Sequence, residues 1–143
     1  RGLIGDGDQD TIVLHTNDGS TGYRIVKFQV MATAPGSDES TNVLKIYKVS
    51  QSSVNGDVDF ADNTLIGAID FRQHTNEGYG VTGNTVIFDN EIFNQDIYVT
   101  HKDNNTGVSI NYYIELEQVK LDINSNTLAT LKDMRNTASP NPG

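Results

Sequence analysis

The chain has 143 residues, a formal net charge of −9 and no cysteine. This length is typical of one domain with its own core, and the lack of cysteine excludes disulfides, zinc thiolate sites and a cysteine nucleophile. The ten basic residues are scattered along an acidic chain, which argues against binding to duplex nucleic acid or anionic lipid. The apolar runs are short and predict no membrane span.

Short runs rich in Val, Ile, Tyr and Phe alternate with Gly and Asn, a pattern that predicts many strands joined by tight turns. The predicted strands cover residues 11–15, 22–33, 43–49, 58–60, 64–71, 85–89, 96–102 and 108–121. Asn104 to Gly107 predicts a hairpin turn. This organisation favours an antiparallel β-sandwich or jelly roll of about eight or nine strands. Residues 1–143 are predicted to form one domain, with 1–10 and 136–143 as flexible or partner-ordered arms.

Two long predicted strands alternate between apolar and polar residues, as expected when one face lies in the core. Strand 22–33 divides into one face with Arg24, Val26, Phe28 and Val30 and another with Tyr23, Ile25, Lys27 and Gln29. Strand 108–121 divides into an apolar face with Ile110, Tyr112, Ile114 and Leu116 and a polar face with Asn111, Tyr113, Glu115 and Glu117.

The period changes after residue 121. The side chains of Asn124-Ser125-Asn126 can cap a helix N-terminus, and Leu128, Leu131 and Met134 then recur at i, i+3 and i+6. This spacing predicts a short helix with one apolar stripe. The stripe either covers an open sheet edge of its own domain or docks on a partner.

Two acidic clusters are candidates for binding calcium, the only cofactor that the sequence suggests. Asp6, Asp8 and Asp10 have the i, i+2, i+4 spacing of calcium loops, but Thr11 and Asn17 replace the glycine and glutamate of an EF-hand. The second cluster consists of Asp57, Asp59 and Asp62. The alternatives are a flexible acidic N-terminus for the first cluster and Asx turns for the second.

No arrangement of residues predicts a catalytic centre. Glu115 and Glu117 point the same way from one strand, as some glycosidase carboxylates do, but the chain has no tryptophan to stack on a sugar. Their alternative role is to pair with Lys45, Lys48 or Lys102 on a neighbouring strand. His15, His74 and His101 lack metal-ligand spacing. Tyr79, Tyr98 or Tyr113 could provide a stacking platform for a glycan.

Three stretches together carry a family resemblance. They are Tyr23 to Met31 leading to Ala34-Pro35-Gly36, Ile92 to Val99, and Asn111 to Glu117 followed by Leu128 to Arg135. These stretches resemble small β-rich virion structural proteins of tailed bacteriophages, which decorate or reinforce the head. The resemblance implies assembly in many copies on a capsid and no catalysis.

These observations lead to one prediction of function and one main alternative. The prediction is a non-enzymatic capsid decoration protein that contacts itself and other capsid proteins. Its acidic charge favours the outer surface of the head over the inner surface that faces DNA. The alternative is a carbohydrate- or receptor-binding module of the fibre or adhesin type that uses calcium. A glycoside hydrolase built on Glu115 and Glu117 is a third interpretation.

Overall fold

The structure is a computed structural model that describes residues 1–14, 19–37, 39–74 and 81–121. These residues form eight strands and no helix. The strands are β1 (Gly2–Ile4), β2 (Gln9–Ile12), β3 (Thr21–Ala32), β4 (Ser40–Tyr47), β5 (Leu65–Gln73), β6 (Val81–Ile87), β7 (Ile97–Asp103) and β8 (Ile110–Lys120). No helix in these ranges is long and apolar enough to cross a membrane.

The strands form two antiparallel sheets, which confirms the prediction of a mostly-β, antiparallel fold. A small sheet has the order β1-β8-β3, and a large sheet has the order β2-β7-β4-β5-β6. Both sheets contribute to one buried core. The small sheet supplies Ile4, Ile25, Phe28, Ile110 and Tyr112, and the large sheet supplies Leu44, Ile46, Ile66, Ile69, Ile97 and Val99.

Seven of the predicted strands match observed strands, with ends that shift by a few residues. The predicted strand at 58–60 is absent. Asp59 and Asp62 instead accept hydrogen bonds from the backbone N–H groups of Ala61 and Thr64, so this stretch forms Asx turns. The predicted helix with Leu128, Leu131 and Met134 lies outside the described residues, as does the predicted arm 136–143.

Residues 1–10 are not an arm, and that prediction is wrong. Gly2 to Ile4 pair with Ile110 to Tyr112 of β8, and β2 begins at Gln9 and pairs with β7. Ile4 is buried in the core. A three-residue strand is too short to show an alternating pattern, so its position depends on a partner more than one hundred residues away.

The strict alternation predicted for β3 is also wrong. A β-bulge between Ile25 and Lys27 inserts Val26 into the strand, and a bulge of one residue reverses which face the later side chains occupy. Ile25 and Phe28 are therefore both buried, although an unbroken strand would place them on opposite faces. The alternation predicted for β8 is confirmed, because Ile110 and Tyr112 are buried and Tyr113 is exposed.

Candidate interaction surface

The outer face of the small sheet carries large apolar side chains at its surface. Leu3 on β1, Val26 and Met31 on β3, and Tyr113 on β8 are 59%, 42%, 65% and 45% exposed. Leu3 and Met31 flank Asn111, which pairs with both of them. These four residues, which we call the open face, make up half of the eight large exposed hydrophobics among the described residues. A concentration of this kind makes the open face a candidate interaction surface.

Charges on the same side of the small sheet cancel. Arg24 forms a salt bridge to Glu117 with an N–O distance of 2.8 Å, and Lys27 lies 3.8 Å from Glu115. The hydrogen bond and charge of Glu117 raise the pKa of Arg24. These two ion pairs thus add no net charge to this side, on a chain whose total is −9.

This pairing corrects the predicted partners of the two glutamates. Lys45 and Lys102 lie in the large sheet and Lys48 directly follows β4, whereas β8 has only β3 and β1 as neighbours. Glu115 and Glu117 therefore pair with Lys27 and Arg24 across the β3–β8 ladder. Both carboxylates lie at the ends of ion pairs on an exposed sheet face.

A cleft of about 710 Å³ adjoins the open face. Its apolar lining includes Phe28, Val30 and Met31 of β3, Ile69 and Phe71 of β5, and Tyr113 of β8. It lies on the side of the molecule where β3 and β6 are the edge strands of their sheets. Near its start, β3 bridges to Phe93 through Tyr23. In the part of the chain that the structure describes, no strand pairs with the remaining edge of β3.

The rim of the cleft is polar. Gln29 and Asn111 from the small sheet and Asn84 and Thr85 from β6 contribute amides and a hydroxyl beside Tyr113. Tyr112 lies deeper and donates a hydrogen bond to Oδ2 of Asp10 at 3.0 Å. Burial, together with the hydrogen bond and charge of Asp10, raises the pKa of Tyr112 to about 12. The cleft thus combines apolar surface with amides that can orient a ligand.

The outer face of the large sheet differs, because residues 48–64 of the chain cover it. The side chain of Gln9 on β2 holds this segment at Ser50 and Gln51. Lys45 on β4 donates hydrogen bonds to Oδ1 of Asn55 and to the carbonyl oxygen of Asp57, at 3.1 and 2.6 Å. The open face of the small sheet has no such cover among the described residues.

Burial beneath this segment shifts two pKa values on β4. It lowers the pKa of Lys45, and the nearby charges of Asp57 and Asp62 oppose that shift. It raises the pKa of Tyr47 to about 12, and the charges of Asp62 and Asp59 act in the same direction. Two members of the second acidic cluster, Asp57 and Asp62, therefore lie near an ammonium group that the protein itself supplies.

The first acidic cluster has separate partners for two of its members. Asp6 accepts a hydrogen bond from the backbone N–H of Asp103 at 2.8 Å and lies 3.5 Å from the ammonium of Lys102. Asp10 accepts from Tyr112, and Asp8 is exposed. Among the described residues, no group of three or more His, Asp and Glu side chains is placed to hold a metal ion. Calcium binding remains a prediction from spacing.

Of the three tyrosines predicted as alternative stacking platforms, the structure describes Tyr98 and Tyr113, which lie on different sheets. Tyr98 lies on β7 in the large sheet, opposite Tyr47, whereas Tyr113 lies on the open face of the small sheet. Tyr79 and His15 lie outside the described residues. His74 follows β5, and His101 is fully buried on β7, so these two histidines lie in different environments.

Sequence reasoning identified Tyr113 but missed the other residues of the open face and cleft. Met31 and Leu3 gave no signal, because single apolar residues near strand ends are common at protein surfaces. Val26 was assigned to a face by alternation, and the bulge overrides that assignment. Gln29, Asn84 and Asn111 are ordinary turn and strand residues until the two sheets bring them together.

Comparison with known proteins gives no match to this chain, whether with family models, with curated proteins or with solved structures.

Proposed function

We propose that this protein is a non-enzymatic structural component of a virus particle, a decoration or capsid-associated protein that assembles in many copies on the outside of a phage head. The open face is the observation that carries the proposal. It offers apolar side chains for contact and no net charge, so two copies of a strongly acidic chain can meet there without strong repulsion. The same face, or the termini, would contact other capsid proteins.

The strand order supports this proposal. We interpret this strand order as a jelly roll with one departure. A regular jelly roll would place β6 beside β3 in the small sheet, whereas here β6 pairs with β5 in the large sheet. Eight-stranded jelly rolls occur in viral capsid proteins and also in lectin domains. The topology therefore favours both the virion protein and the glycan-binding alternative over unrelated classes.

The proposal predicts that a charge on the open face weakens self-association. Met31→Glu or Tyr113→Glu should raise the dissociation constant of the assembly by about tenfold or more, because a buried apolar contact becomes a desolvated charge. Light scattering over a range of protein concentrations measures this effect. Val86→Glu is the matched control, since Val86 is also exposed but lies on β6 of the large sheet. A native chain that stays monomeric at every concentration contradicts the proposal.

The cleft supports one alternative, a glycan- or receptor-binding module. Tyr113 provides an aromatic face, and Gln29, Asn84 and Asn111 provide amides at the same opening. This alternative predicts binding on a glycan array that Tyr113→Ala and Asn111→Ala abolish and that Val86→Ala leaves unchanged. Binding by a monomer would favour this alternative, and the absence of any glycan signal would favour the virion protein.

A further inference from the structure

We infer that the segment 122–143 of one copy docks in the cleft of a neighbouring copy. This inference rests on the proposed function, since it requires copies of the chain to assemble. It also identifies a second contact between copies besides the open face.

The cleft has the form of a receptor for an apolar stripe. Val30 of the small sheet and Phe71 of the large sheet are partly exposed in its lining, whereas Phe28 and Ile69 beneath them belong to the buried core. Met31 at the mouth is largely exposed. An apolar groove of this kind accepts anchors spaced at i and i+3 along one side of a helix.

The segment that follows β8 provides a matching stripe. Leu128, Leu131 and Met134 have the spacing of one helical face, and all three lie outside the described residues. The segment 122–143 contains two acidic residues, Asp122 and Asp133, and two basic residues, Lys132 and Arg135. It therefore brings no net charge to the surface of an acidic neighbour.

The direction of β8 favours a neighbouring cleft over the chain's own cleft. Tyr112 and Tyr113 line the cleft near the start of β8, whereas the chain leaves this strand at Leu121. At about 3.3 Å per residue, Leu121 lies roughly 30 Å along the strand from Tyr112. If a helix begins after Asn124 to Asn126, Leu131 reaches only about 23 Å from Leu121. The cleft begins nearer to Leu121, at Phe28, which pairs with Ile114 at roughly 23 Å, and it extends to Met31, which pairs with Asn111 at roughly 33 Å. Even fully stretched, the stripe therefore reaches only the near end of its own cleft and leaves the mouth at Met31 to the stripe of a neighbour.

Engineered cysteines test this inference directly, because the chain contains no cysteine of its own. Thr85→Cys places a thiol in the cleft, and Leu131→Cys places one on the stripe. Val86→Cys is the control, since it follows Thr85 but points to the opposite face of β6. Two full-length single-cysteine proteins, one of them with a mass tag, are mixed under mild oxidation and separated on a non-reducing gel.

We expect Thr85→Cys and Leu131→Cys to form a disulfide between different chains, because only a docked stripe holds the two thiols within bonding distance. The yield should be about tenfold above that of Val86→Cys mixed with Leu131→Cys. Equal yields would overturn the inference, as would a Thr85→Cys/Leu131→Cys double variant that links only within one chain. If light scattering shows assembly without this cross-link, the inference fails while the proposed function stands. A chain that remains monomeric overturns both.

Discussion

Replacing Asp103 with alanine is expected to lower the free energy of unfolding by about 3–4 kcal/mol, because five donors lose their acceptor at once. Asp103 ends β7 and is only 4% exposed. Its Oδ1 accepts from the backbone N–H groups of Thr41 and Asn105, and its Oδ2 accepts from the backbone N–H groups of Gly107 and Val108 and from the hydroxyl of Thr106, at 2.9–3.1 Å. Urea unfolding at neutral pH measures the loss.

This effect should also depend on pH. Burial alone raises the pKa of Asp103, but its hydrogen bonds outweigh burial and lower the pKa below its ordinary value. The donors are the backbone N–H groups of Thr41, Val108 and Asn105 and the hydroxyl of Thr106. An unfolded aspartate has a pKa of about 3.9. The stabilisation is therefore complete above about pH 4 and is lost as the pH falls through the lower folded value. The difference between the native chain and Asp103→Ala should shrink in acid.

Asp70→Ala is the control for Asp103. Asp70 is partly exposed on β5, and its ion pair with Arg72 lies at the surface. A pair of this kind contributes about 0–1 kcal/mol, so Asp70→Ala should change stability little. If the two variants were equally stable, or if the effect of Asp103→Ala did not change with pH, the role assigned to this carboxylate would be wrong.

Replacing His101 with alanine is expected to lower the free energy of unfolding by about 3 kcal/mol, because it leaves a cavity and removes the polar contacts of the ring with Gly5 and Asn42. His101 is 0% exposed on β7. Its Nδ1 lies 3.1 Å from the carbonyl oxygen of Gly5, and its Nε2 lies 2.8 Å from Oδ1 of Asn42. The amide of Asn42 donates to Ser40 and to the carbonyl oxygen of Phe71. The ring therefore connects the β1–β2 turn with β4.

Two further variants separate packing from hydrogen bonding at His101. His101→Phe keeps an aromatic ring in the site and should lose about 1–2 kcal/mol, which represents the lost polar contacts alone. His74→Ala provides the surface control, since the His74 side chain is 40% exposed, and should change stability by about 0.5 kcal/mol or less. Thermal and urea unfolding measure all three variants. Equal effects of His101→Ala and His74→Ala would contradict the structural role of the buried ring.

The local signals in the sequence predicted most of the strands. Alternation in β8 identified its buried and exposed faces, because side chains of a regular strand alternate wherever the strand lies. A turn at Asn104 to Gly107 was also predictable, since Gly107 adopts the left-handed φ of 79° that favours glycine. The predicted hairpin is wrong, however, because this turn leads from β7 in the large sheet to β8 in the small sheet, and the two strands do not pair. In each case the information lies within a few consecutive residues.

The candidate surface was much less predictable. Strict alternation misassigned the faces of β3 because a single bulge at Val26 shifts its register against β8. The acidic N-terminus was predicted to be an arm because no local pattern shows that Gly2 to Ile4 complete the small sheet. The sequence also gave no signal that residues 48–64 cover the large sheet and leave the open face without a comparable cover among the described residues.

The sequence by itself determined a mostly-β, antiparallel fold, an acidic surface and the alternating faces of β8. The tertiary structure decided which residues meet. It pairs Arg24 with Glu117 across 93 positions of the chain and joins Thr41 to Asp103 across 62. It also brings β3, β5 and β6 together around the cleft. Strand propensity and turn chemistry act between close neighbours in the chain, whereas sheet order, register and the cover of a face depend on contacts between distant segments.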